Sequence, residues 1–285
     1  MNLREKIDNS PMGVYQWAIV LMAAVMNFLD GFDVLAIAFT APNISKDFGL
    51  SKTEFGMLVS AGLIGMVIGS MVLAPLADKF GRRPILLLSV AFSAVGLAVS
   101  GFSTTSEILA FSRILTGLGV GGILVGTNVI TSEYSSKKWR SFAISVYAAG
   151  FGIGAMIGGI IAKSLQVAYS WHAVYFAGAA MTAVVFVVLW IWLPESIDYL
   201  NSKQPQNAKA RLNKIAHKLG FAGEWDLTSK AEKIAVKLPI WELFGKKYLR
   251  STLLLWLSFF AIMFCFYFIS SWTPALLKEA GMTME

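Results

Sequence analysis

Seven stretches of the chain are apolar for long enough to cross a bilayer, and short polar segments separate most of them. The first, "VYQWAIVLMAAVMNFLDGFDVLAIAFTAP", runs from Val14 to Pro42. The others cover about Phe55–Ala77, Pro84–Phe102, Ile108–Thr131, Phe142–Ala162, Ala173–Leu193 and Tyr248–Leu277. A helix needs about 20 mainly apolar residues to span the hydrocarbon core, so each run predicts a transmembrane helix. Arg4 and Lys6 precede the first run and its "AIA" resembles a cleavage site. Its length and its two aspartates mark it as a retained helix and not a signal peptide. The expected organisation is a six-helix bundle over residues 1–193, a polar central loop over 194–247 and a seventh helix within 248–285.

Composition agrees with this pattern. The chain is 56% hydrophobic and 14% charged, against about 25% charged in soluble domains. A net charge of +7 raises the question of nucleic acid, but the cations follow topology and form no basic domain. With the N-terminus in the cytoplasm, 19 of the 24 lysines and arginines fall on the inner side. Lys46, Lys52, Lys163 and Lys278 fall outside, and Arg113 lies within a span. That asymmetry sets the orientation by the positive-inside rule and predicts a multi-pass protein of the cytoplasmic (inner) membrane. Trp17, Trp139, Trp171, Trp192 and Trp272 near the predicted ends fit interfacial belts. In the central loop, "AKARLNKIAHKL" spaces Leu212, Ile215, Ala216 and Leu219 for a short amphipathic helix on the membrane or the bundle. His217 falls on its basic, solvated face. The single cysteine, Cys265, excludes an intramolecular disulfide and reads as a small core residue.

Two features break the apolar pattern. Glycine ladders stand in the second span, Gly62, Gly65 and Gly69, and in the fifth, Gly150, Gly154 and Gly158. Such ladders let helices approach closely where packing drives association. Buried charges stand in the first span, Asp30 and Asp33, and in the fourth, Arg113. Spans one to three thus repeat as spans four to six, the inverted 3+3 plan of many secondary transporters.

A charged residue near the bilayer centre costs roughly 2.5–3.5 kcal/mol on insertion scales. Asn27, Asp30 and Asp33 recur at i, i+3 and i+6 and share one helix face, with Gly31 permitting close backbone approach. Arg113 follows the outer loop by about two turns, roughly 12 Å, and Asp33 lies at a similar depth. The two can therefore satisfy each other. Burial favours the neutral acid and a nearby guanidinium favours the anion, so an arginine that moved would switch proton affinity. A static ion pair joining two helices is the alternative. A second cluster at the inner ends holds Asp78, Gly81, Arg82 and Arg83 in "PLADKFGRRP", Glu133 and Arg140 in "SEYSSKKWRS", and Glu195 in "LPESI". Breakable ion pairs there would form an inner gate; arginines placed by topology alone are the alternative.

These segments resemble the major facilitator superfamily. "ADKFGRRP" is similar to its signature between helices two and three, with Ala74 where glycine usually opens the motif; "RILTGLG" is similar to that of helix four, and "PES" to the end of helix six. "DGFD" in helix one resembles the aromatic acid:proton symporters, whose substrates include benzoate-type acids and carboxylates such as muconate. Helix five has Ala155 where antiporters of the family carry proline, which favours symport. The resemblance implies an all-α polytopic fold, a six-helix N-terminal bundle plus the first helix of a truncated C-terminal half. It implies either a piece of a longer gene product or a truncated reading frame, since the family has twelve helices.

The expected function is proton-coupled import of aromatic acids or related carboxylates by alternating access. Asp30 and Asp33 would carry the proton, Arg113 and Asn27 would meet substrate or charge, and the inner cluster would gate. The expected partners are a small carboxylate, protons and the bilayer, with no nucleic acid, no metal and no cofactor beyond the coupling proton, in a monomer. A sugar or organic-ion carrier, a drug exporter, and an inert or regulatory fragment are the rivals. No nucleophile–base pair, metal-ligand spacing or phosphate loop suggests an enzyme. Asn128 and Tyr147 are possible lining residues.

Overall fold

A computed structural model describes residues 2–227, 240–245 and 247–279. Lys230, Lys233, Lys237 and Lys246, which contribute to the charge asymmetry, lie outside the described residues. The chain forms two compact units, Met1–Thr228 and Ser229–Glu285. The first half of the expected central loop therefore belongs with the bundle.

Ten α-helices are described. The six long helices of the first unit are α2 (Val14–Phe48), α3 (Lys52–Phe80), α4 (Arg82–Gly101), α5 (Ser106–Tyr134), α6 (Arg140–Ala168) and α7 (Trp171–Trp192). With α10 (Leu249–Glu279) in the second unit, all seven expected spans are helices long and apolar enough to cross a membrane. Helix α2 has 35 residues, about 52 Å at 1.5 Å per residue, so its polar last turns pass beyond a ~30 Å hydrocarbon core. It ends at Gly49, whose φ of +64° suits a residue without a Cβ.

The glycine ladders decide which helices touch. Gly65 and Gly69 of α3 lie against the carbonyls of Ile114 and Leu118 of α5, and Gly117 and Gly121 of α5 return the contact onto α3. Gly150 and Gly154 of α6 lie against the carbonyls of Ala24 and Phe28 of α2, and Gly31 of α2 against that of Phe151. Exchanging the two three-helix repeats turns one pair into the other, as the inverted plan requires.

Three short helices close the end of the bundle that carries the N-terminus: α1 (Leu3–Asn9), α8 (Ile197–Lys203) and α9 (Ala208–Lys218). Leu212, Ile215, Ala216 and Leu219 of the amphipathic segment are buried in one core with Leu3, Ile7, Leu86, Tyr134 and Leu189. The segment therefore lies on the bundle, and His217 is exposed. Helix α1 was not foreseen. Its signals are a capping box, in which the Asn2 side chain accepts from the Glu5 amide and Glu5 accepts from the Asn2 amide, and Leu3 and Ile7 at i, i+4.

In the second unit, Phe244 of a short 3-10 turn packs edge-on to Trp256 of α10, and Phe260, Phe264 and Phe268 stack along the helix. Cys265, expected in a core, is exposed there. A spanning helix can turn an apolar residue to lipid, so burial in protein is not required.

Candidate functional site

Helices α2 and α5 bring Asp33 and Arg113 together at the depth their sequence positions imply. Arg113 Nη1 donates to Asp33 Oδ1 at 2.6 Å and Nη2 to Oδ2 at 2.9 Å. This two-pronged geometry is the strongest form of the pair. Arg113 is 5% exposed and Asp33 4%. Gly62 of α3 faces the pair, and a Cβ there would lie in ordinary contact with Arg113 Nη2 at 3.7 Å.

One turn before Asp33 on the same helix, Asp30 is equally buried, within electrostatic reach of both partners. Its Oδ1 has no hydrogen-bond partner among the described residues, and neither has Arg113 Nε. The pair is closed on itself, and a second carboxyl waits beside it. Tyr175, which the sequence reading missed, lies within reach of Asp33 and Arg113, and its hydroxyl is 3.3 Å from Thr40 Oγ1. A tyrosine inside an otherwise apolar span was its available signal.

Asn27 is not joined to this pair. Its amide donates to the carbonyls of Tyr147 at 3.0 Å and Ala148 at 3.4 Å, so it ties α2 to α6. Tyr147 is buried, and its hydroxyl accepts from Thr127 at 3.3 Å. Asn128 is exposed.

The second cluster is also assembled: Arg82 pairs with acids of the expected set, while Glu195, Arg83 and Arg140 take other partners. Arg82 reaches Asp78 at 2.9 Å and Glu133 at 3.6 Å. Glu195 instead accepts the backbone amides of Arg82 and Arg83, at 2.8 and 3.0 Å, and of Ser196 at 2.9 Å. Gly81, with φ +111°, opens α4 without a side chain that could cap it. A Cβ at Gly81 would fall 2.6 Å from Glu195 Oε2. Glu195 thus caps α4 from across the bundle, satisfying amides that a helix start leaves orphaned. Arg83 Nε donates to the Leu193 carbonyl at 2.8 Å. Arg140 pairs with Asp8 of α1. Glu133 accepts from the Ser196 hydroxyl at 2.7 Å and the Ile197 amide at 3.0 Å.

The physical reason for the difference is competition: a carboxylate beside a helix start meets several fixed N–H dipoles and needs no mobile guanidinium. Replacing Glu195 with alanine should leave two α4 amides unsatisfied and cost about 1–3 kcal/mol. Thermal unfolding of the purified protein reads that loss, and Glu195→Gln, which keeps an acceptor, should lose less. Equal loss in both variants would remove the cap from the account.

A helical membrane bundle of two exchangeable repeats, with a charge pair sealed between them, is a secondary-transporter fold. The pattern of the Major Facilitator Superfamily matches residues 23–285, and the chain belongs to that family, whose members are transporters and not enzymes. It is 33% identical to the gallate transporter of Pseudomonas putida over 288 residues, covering 100% of this chain and 64% of that one. It is likewise 33% identical to the 4-hydroxybenzoate transporter PcaK of Pseudomonas putida over 289 residues, at 100% and 64% coverage. The chain therefore spans less than two thirds of the length of these relatives. Among solved structures, a bacterial homologue of the human lysosomal transporter Spinster superposes with a TM-score of 0.70 at 19% identity, covering 96% of this chain and 58% of that one. The proton:xylose symporter XylE gives 0.62 at 22% identity, over 70% and 50%. These likenesses define the fold alone.

Proposed function

We propose that the protein is a proton-coupled symporter that imports aromatic acids or related carboxylates by alternating access. The observation that carries this reading is a buried Asp33–Arg113 pair with a second buried carboxyl, Asp30, whose Oδ1 has no partner among the described residues. A buried carboxylate with an oxygen that meets no donor is favoured to take up a proton or a cation. Asp30 is the group to which a proton binds first. Protonation at Asp33 then releases Arg113 toward the substrate carboxylate, which forms the same two-pronged contact. The similarity to transporters named for gallate and 4-hydroxybenzoate supports the substrate class.

The same reading places the protein in the inner membrane as a monomer, with its N-terminus and the short helices α1, α8 and α9 in the cytoplasm. Arg82, Asp78 and Glu133 are the inner ion pairs that open and close there.

Expression from the complete reading frame, in cells without aromatic-acid uptake, tests this. Adding 4-hydroxybenzoate or gallate should alkalinise a weakly buffered medium as labelled acid enters. Asp30→Asn should abolish the alkalinisation yet keep exchange of labelled acid for unlabelled. Entry of acid with no pH change would remove the proton from the mechanism. No entry of any aromatic acid, with the protein present in the membrane, would remove the substrate class.

A further inference from the structure

A cavity of about 520 Å³ lies where the inner ends of α2, α3, α4 and α7 meet α9. Neither Asp33 nor Arg113 lines it, and neither do Arg82, Asp78 and Glu133 of the proposed ion pairs. Its polar wall is cationic: Arg83, Arg211, Lys214 and Lys218. The acid in that wall is Glu195, whose carboxylate is already held by backbone amides of Arg82, Arg83 and Ser196. The three α9 cations are exposed, and no acid among the described residues pairs with Arg211 or Lys214. Lys218 stands over the Tyr15 ring, 5.4 Å from its centre, and the Tyr15 hydroxyl has no hydrogen-bond partner among the described residues. Apolar residues complete the lining. Among them Phe80, Ile191 and Trp192 remain more than half exposed, at 56%, 65% and 56%.

Ends of spanning helices carry such aromatic residues at headgroup depth, and basic pockets between them at a charged membrane face bind anionic headgroups. We infer that this cavity holds the phosphate headgroup of an anionic phospholipid, with its acyl chains lying along Ile191 and Trp192. The cations of α9 supply the attraction, and Arg83, fixed by its bond to the Leu193 carbonyl, supplies an oriented contact. A free phosphate would use the same cations but would leave the apolar lining without a partner. The site is independent of what the protein carries. It lets α9, docked on the bundle, sense the charge of the leaflet beside it.

Native mass spectrometry of the full-length protein, delipidated in detergent and supplied with phosphatidylglycerol or phosphatidylcholine, tests this. Phosphatidylglycerol should be retained one to one, with about a tenfold preference. Arg211→Gln/Lys214→Gln/Lys218→Gln should cancel the preference without lowering the melting temperature in lipid-free detergent, because the three side chains are exposed. Lys209 lies on the same helix but outside the cavity, paired with Asp226 at 2.7 Å and Glu224 at 3.6 Å, and Lys209→Gln should keep the preference. Lys214→Glu alone should reduce it, which preserves the test if the triple variant does not fold. Equal retention of both lipids by the unaltered protein, or unchanged retention in the cavity variants, overturns the inference. Displacement of phosphatidylglycerol by millimolar inorganic phosphate identifies a free-anion site and overturns the lipid assignment.

Discussion

Arg113→Leu is expected to lower the proposed aromatic-acid uptake by about two orders of magnitude and to reduce the yield of folded protein. The leucine removes both prongs of a contact made at 2.6 and 2.9 Å and leaves Asp33, 4% exposed, as a buried charge with no partner. Breaking one side of a buried pair costs about 3–5 kcal/mol, whereas replacing both sides is often close to neutral. The double variant Asp33→Asn/Arg113→Gln should therefore recover folding, because two amides can hydrogen-bond without charge. It should not recover uptake, because neither a proton site at position 33 nor a cation for the carboxylate remains. A drop of ~3 kcal/mol in transition-state stabilisation corresponds to ~10²-fold in rate. Initial rates of labelled 4-hydroxybenzoate uptake and size-exclusion profiles separate the two effects. Full uptake by the folded double variant would make the pair a structural tie and nothing more.

Gly154→Val is the second large effect, and it acts on folding. A Cβ at Gly154 would overlap the Phe28 carbonyl oxygen of α2, so α2 and α6 would have to move apart along their whole contact. Overpacking of this kind costs about 1–3 kcal/mol or more, and in lipid no hydrophobic force returns the helices to each other. The shift would also carry Asp30 and Asp33 away from α5. Gly152, two residues earlier, has nothing within 4 Å of where its Cβ would stand, and Gly152→Ala should be silent. Comparing the two variants in thermal unfolding in detergent isolates the close approach from the mere loss of a glycine. An unchanged melting temperature for Gly154→Val would mean that α2 and α6 tolerate a wider spacing than the glycine ladder implies.

The inner end shows where reading along the chain stops. The amphipathic segment 208–219 announces a helix and its buried stripe, yet the stripe alone does not say whether lipid or protein covers it. Leu3 and Ile7 turn out to share that cover. Asp8, which the sequence reading did not single out, holds Arg140, and Arg4 donates to the carbonyls of Ser132 and Glu133. "PES" reads as a motif, but its three parts act separately: Pro194 follows the end of α7, Glu195 caps α4, and the Ser196 hydroxyl binds Glu133 while accepting the Tyr199 amide at the start of α8.

Sequence alone determined the seven apolar helices, the glycine faces and the common depth of Asp33 and Arg113. Each of these depends on a local period or on a count of residues from a helix end, and both are written linearly in the chain. The tertiary structure decided which partner each polar group takes: backbone amides for Glu195, carbonyls for Asn27, Asp8 for Arg140, and no donor among the described residues for Asp30 Oδ1. Those choices turn on helix rotation and tilt, where a few tens of degrees move a side chain from one neighbour to the next. Rotation and tilt are set by the packing of all six helices at once, which no single stretch of sequence contains.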